Sequence, residues 1–174
     1  TAKEQGAQVV SFHECSITGY TFARHLSKEQ MLDLAEFIPD GPSIKKLTEI
    51  ARESGLVVLA GLFEKDAEDK IYKAYVCVGE NGLIAKYRKL HPFINPHITP
   101  GDKYVVFDLF GWKCGILICY DNNIIENVRA TNLLGADVIF MPHVTMCTPS
   151  TRPGARASSA MARGVICRMT RSGR

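Results

Sequence analysis

The stretch IYKAYVCVGENGLIAKYRKL (71–90) constrains the fold more than any other part of this chain. Two runs rich in β-branched and aromatic residues flank Asn81-Gly82, a dipeptide suited to a type I′ turn because that turn needs positive φ at both central residues. The pattern predicts two antiparallel strands, IYKAYVCV (71–78) and LIAKYRKL (83–90). Upstream the periodicity changes. Pro39-Asp40-Gly41-Pro42 breaks the chain, Ser43 can cap a helix through about Ser54 with Ile44, Leu47, Ile50 and Ala51 on one face, and Gly55 ends it. LVVLAGLFE (56–64) then has strand composition. Hairpins make neighbours antiparallel and helical crossovers make them parallel, so the predicted class is α/β with a mixed sheet.

The remaining segments extend this reading. AQVVSF (7–12) reads as a buried strand ending at His13-Glu14, and VVFDL and KCGILICY flank Phe110-Gly111-Trp112 as a second hairpin. Asp121 or Asn122 can cap a helix through Leu134, with Ile125, Val128, Leu133 and Leu134 apolar, closed by Gly135 before a last strand, VIFMP (138–142). One domain is expected over 1–150, followed by a basic C-terminal segment, 151–174, that has six arginines, no acid and no assignable packed face. With 46% apolar and 22% charged residues in a chain of 174, a folded globular domain is expected.

Composition also disfavours several function classes. No apolar run reaches the roughly 18 residues of a membrane span, and TAKEQGAQ lacks the regions of a secretory signal, so a cytoplasmic protein without a membrane partner is expected. Six cysteines at irregular spacing, without a CxxC pair, fit reduced thiols and neither a zinc ribbon nor a redox motif. The arginine-rich end carries no aromatic residue for base stacking, which disfavours nucleic acid as a partner.

The chemistry is concentrated in Gly115-Ile-Leu-Ile-Cys119-Tyr-Asp121, an apolar strand that delivers a cysteine to a turn before a predicted helix. Backbone N–H groups there can lower a thiol pKa and hold an oxyanion, although a buried strand-end cysteine serving only as a small hydrophobe fits the same pattern. Glu14 and Lys89 each close a predicted strand; by themselves they also fit a structural ion pair. Asp121 reads equally as a helix cap. His91 and His97 lack further ligands for a metal, and His143 and Cys147 lie in a proline-containing loop near the predicted pocket.

Three segments taken together, HECSITGY (13–20), YRKLHPF (87–93) and ICYDNNIIENVR (118–129), resemble in order and spacing the signatures of the nitrilase superfamily of carbon-nitrogen hydrolases. TPGDKYVVFD (99–108) and LLGADVIFMP (133–142) agree with them, and Cys-Tyr-Asp is similar to the amidase and carbamoylase branches. The resemblance implies an α-β-β-α sandwich with mixed sheets, here incomplete at both ends. It implies Cys119 as nucleophile, Glu14 as general base and Lys89 as oxyanion stabiliser, with Tyr120, His97 and His143 at the substrate. No cofactor and no metal are implied. The substrate is expected to be a small amide, carbamoyl or nitrile compound, and the assembly a homo-oligomer. Acyl transfer through the same thioester, or a truncated, inactive interaction protein, are the alternatives. One departure stands out: members generally carry a second glutamate before the Pro-Gly-Asp segment, whereas LHPFINPHITPGD (90–102) has none and offers His97 as a polar partner for Lys89.

Overall fold

The computed structural model describes residues 1–144 and the backbone of 165–167. Its strands are β1 (Val9–Ser11), β2 (Val57–Lys65), β3 (Ile71–Gly79), β4 (Gly82–Arg88), β5 (Val106–Leu109), β6 (Trp112–Ile116), β7 (Val138–Phe140) and β8 (Val165–Cys167). The α-helices are α1 (Lys28–Leu34), α2 (Pro42–Ser54) and α3 (Ile125–Leu133). One sheet has the order β4-β3-β2-β1-β8 and the other β5-β6-β7. Both are mixed: β1 runs parallel to β2 and β6 parallel to β7, each across a helical crossover, while the hairpin neighbours are antiparallel.

The 71–90 hairpin forms, with a different turn. Gly79 pairs with Gly82, which makes Glu80 and Asn81 the central residues, and positive φ occurs at Gly82 (107°) and not at Asn81. A register irregularity between Cys77 and Val78 accommodates this, as a bulge does when two residues on one strand face one on the other.

The two sheets pack face to face. Leu59, Tyr75, Cys77 and Tyr87 from the first meet Leu109, Cys114, Ile116, Ile118 and Phe140 from the second in the main buried cluster. On the outer side of the first sheet, Ile44 of α2 packs with Leu62, Val76 and Val78. On the outer side of the second, Thr131 of α3 lies against β6, so close that a Cβ on Gly115 would come within 2.4 Å of its Cγ2. The layers are therefore helix, sheet, sheet, helix, the sandwich expected.

Helix ends and faces differ in detail. Pro42 opens α2 after Gly41, and Ser43 instead bonds Glu36 through its amide and hydroxyl, while Gly55 takes the left-handed conformation (φ 71°) expected of it. The capping box of α1, Ser27 with Gln30, was legible in sequence and went unread. The Asp121-capped helix is instead a 3-10 turn, Cys119–Asn123, followed by α3 without a side-chain cap. Of its expected apolar face only Val128 packs against the core: Ile125 and Leu133 are 76% and 73% exposed, and Asn127 and Thr131 are buried. Among the described residues no helix is long and apolar enough to cross a membrane. The segment 151–174, and Cys147, lie outside the described residues except for the backbone of β8, which pairs antiparallel with β1.

Candidate active site

Three backbone devices carry the three residues inward. After β1 the chain continues along β2, with the Phe12 amide donating to Leu59 O at 2.9 Å, then turns at Glu14 against Gly61. A Cβ on Gly61 would stand 2.4 Å from the Cys15 amide nitrogen, so this strand glycine is what allows the approach. Lys89 follows β4, its amide donating to Lys73 O and its carbonyl accepting from Gly101, both at 2.8 Å. Beyond β6 the strand direction persists, with the amides of Leu117 and Cys119 donating to Phe140 O and Pro142 O at 3.0 and 2.9 Å. Cys119 then has φ of 51°, a left-handed conformation rare for a residue with a Cβ.

The side chains converge. The Lys89 ammonium, fully buried, lies 3.0 Å from Glu14 Oε1 and donates at 3.0 Å to the carbonyl of Ile118, the residue before Cys119. Glu14, 1% exposed, has its other oxygen, Oε2, buried without a hydrogen-bond partner among the described residues. The Cys119 thiol is pushed up from its ordinary value of 9.0, first by burial and then by the Glu14 charge, with Lys89 and the Val144 amide pulling the other way. It is therefore a neutral thiol that interacts with the Glu14 carboxylate. The short 3-10 turn does not lower the thiol pKa as a helix N-terminus was expected to. Burial and Glu14 outweigh the favourable contributions.

A third charged group joins them. Lys73 of β3, 1% exposed, places its ammonium 3.1 Å from the same Glu14 Oε1. Aromatic rings form the rim: Phe93 lies 5.5 Å from Lys89 Nζ and edge-on to Tyr120, and the two are 48% and 47% exposed.

The family profile described as carbon-nitrogen hydrolase matches residues 1–166. The chain belongs to the carbon-nitrogen hydrolase family. A nitrilase of Pyrococcus abyssi is 41% identical over 144 residues, covering 81% of this chain and 53% of the relative. An omega-amidase of Bos taurus is 34% identical over 154 residues, with 81% and 53% covered. Among solved structures, a Saccharomyces cerevisiae protein of branch 10 of the nitrilase superfamily superposes with a TM-score of 0.72 at 28% identity, covering 83% of this chain and 54% of that one. This carbon-nitrogen hydrolase chain thus spans about half the length of the curated relatives it matches.

Within the hydrolase chain the other residues singled out from sequence are placed as follows. Tyr120 stands at the rim, its ring 6.4 Å from those of His91 and Phe93. His143 Nε2 is 3.1 Å from Asn122 Nδ2, which also donates to the carbonyl of Cys119, so it borders the Cys119 turn. His97 is exposed, and its amide donates to Asn95 Oδ1; the ammonium of Lys89 bonds Glu14 and Ile118 instead. Two residues take places that local pattern did not assign them. Asp121, expected as a helix cap and fully buried, accepts from Tyr87 Oη (2.8 Å), the amides of Leu90 (3.1 Å) and His91 (2.9 Å), and His91 Nδ1 (3.0 Å), tying the Cys119 turn to the Lys89 loop. Lys73 was hidden because a lysine inside IYKAYVCV reads as the solvent face of an alternating strand. Every residue of β3 is in fact buried.

Proposed function

We propose that the protein hydrolyses a small amide or carbamoyl compound through a thioester on Cys119, with Glu14 as general base and Lys89 as oxyanion stabiliser. The convergence of Lys89 on both Glu14 Oε1 and the Ile118 carbonyl, at 3.0 Å each, carries this reading. An amide carbonyl is a weak electrophile, so sulfur must gain electron density as it attacks. Glu14 takes the thiol proton on Oε2 while Sγ bonds to the carbonyl carbon. Negative charge then collects on the substrate oxygen, where the Lys89 ammonium and the Tyr120 amide stabilise it in a site shielded from water. Collapse breaks the carbon-nitrogen bond as Glu14 returns the proton to the departing amine. Water, deprotonated by Glu14, attacks the thioester and releases the acid and the free thiol.

The Cys-Tyr-Asp motif favours an amide, the relatives include both an omega-amidase and a nitrilase, and the half-exposed rings of Phe93 and Tyr120 suit a small substrate at a rim open to solvent. The reading includes self-association through α3, whose outward Ile125, Leu133 and Leu134 are 76%, 73% and 57% exposed. The decisive experiment is intact-mass measurement of the full-length protein with a panel of small amides and carbamoyl compounds. A substrate-specific acyl mass increment, absent in Cys119→Ser, is expected. Turnover retained in Cys119→Ser would refute the thioester.

A further inference from the structure

Lys73 has no part in the steps above, yet it is buried as deeply as the groups that do. Its ammonium meets one carboxylate oxygen, and rings enclose it elsewhere: Tyr20 at 4.2 Å and Phe93 at 5.3 Å from the centroids. A lysine taken out of water is unfavourable unless a partner compensates its charge, and aromatic faces make up part of the loss. Burial pushes the Lys73 ammonium down from 10.5 while Glu14 pulls it back.

A second carboxylate with two cations, on the neighbouring strands, provides the contrast. Glu64 of β2 is 2% exposed and faces Lys86 and Arg88 of β4. There the cations occupy both oxygens: Arg88 reaches Oε1 at 2.7 Å and Oε2 at 2.9 Å, and Lys86 shares Oε1 at 2.5 Å. At Glu14 both ammoniums crowd onto Oε1, at 3.1 and 3.0 Å, and Oε2 has no hydrogen-bond partner among the described residues. A purely structural ion pair has no reason to leave one buried oxygen unused.

We infer that Lys73 is a positioning residue for the hydrolysis proposed above: it pins Glu14 through Oε1 and leaves Oε2 unpaired. The inference rests on the Glu14, Lys89 and Cys119 reading. Lys89 alone cannot hold Glu14 throughout, because its ammonium is also drawn to the Ile118 carbonyl and, during reaction, to the oxyanion. Lys73 has no such competing polar partner among the described residues and anchors the base at every stage. The groups facing Glu14 are Lys73 from β3, Lys89 from the end of β4, Cys119 from the turn after β6, and Cys15 and Tyr20 from its own segment. Burial raises the pKa of both thiols and the phenol, so the two lysines supply the positive charge.

The test compares Lys73→Met, Lys73→Gln and Lys73→Arg in the full-length protein, with Cys119→Ser as control, on an amide shown to form the acyl adduct. The neutral variants are expected to lose about 100-fold in kcat with KM little changed, the scale of a misplaced catalytic group. Arg restores most of the rate. An unchanged kcat in the neutral variants would overturn the inference, as would a rise in KM alone, which marks a substrate contact. Failure of both neutral variants to fold, judged by thermal melting, overturns it too, since Lys73 is then structural. A Cys119→Ser protein that still turns over sinks the underlying thioester reading instead. Loss of activity there with normal Lys73 variants sinks only the role of Lys73.

Discussion

Asp121 accepts four hydrogen bonds from three residues of the Lys89 loop and its strand, so the spacing of Cys119 and Lys89 depends on one short side chain. Alanine leaves the Tyr87 hydroxyl and two amides without their acceptor, in a region from which water is excluded. A cost of about 3 kcal/mol in urea unfolding is expected, larger than for a neutral hydrogen bond because the acceptor is charged. Activity falls further than stability accounts for, because Lys89 is no longer held against Ile118. Thiol reactivity belongs to the same scale. Cys15, Cys77 and Cys114 are buried, whereas Cys119 is partly accessible. Iodoacetamide is therefore expected to label Cys119 first among these four, with a rate that rises with pH as the neutral thiol ionises. Peptide mapping of the alkylated protein checks both points.

Close approach of elements depends on two glycines that composition alone marks only as strand defects. Gly61 lets the Glu14 segment cross β2, and Gly115 lets α3 settle on β6. Gly115→Ala would press on Thr131 Cγ2 and is expected to cost about 1–3 kcal/mol, the usual penalty of overpacking. Thr131→Ala in that background removes the obstructing methyl and recovers part of the loss, which a double-mutant cycle in urea measures directly. Gly61→Ala instead meets the Cys15 backbone and displaces the proposed base Glu14, so it is expected to depress activity even where the fold survives. The outward turn of Ile125, Leu133 and Leu134 on α3 has the same origin. Periodicity marked Ile125, Leu133 and Leu134 as inward, but the close contact at Gly115 admits only a small residue, and Thr131 takes that place.

At the scale of the whole molecule, the buried thiols between and beneath the sheets set a limit on alkaline stability. Burial raises Cys15 and Cys77 from 9.0 to about 12. The unfolded chain loses these protons near pH 9 while the folded chain keeps them, so the folded state binds more protons and stability falls as pH rises through the window from 9 to about 12. The slope is up to about 1.4 kcal/mol per pH unit for each thiol. Urea midpoints measured across that range, against Cys77→Ala, test the sign. Self-association is also decided at this scale: sedimentation of the full-length protein is expected to show an oligomer that Leu133→Glu shifts toward monomer. Because Leu133 is 73% exposed, its effect on unfolding of the monomer stays within about 0.5 kcal/mol.

The mixed α/β class, the hairpin at 71–90, the α2 boundaries and the positions of Glu14, Lys89 and Cys119 at strand ends were all legible in the chain. Each is written in local periodicity, breakers and end residues, which act within a few positions. Local pattern could not show that two sheets enclose β3 so completely that Lys73 lies in the core, nor that Asp121 bridges two loops rather than capping a helix. It also could not show which face of α3 turns inward. Those outcomes depend on what lies across the sandwich, because burial and charge pairing are properties of neighbours brought together from distant positions, and only the folded chain supplies them.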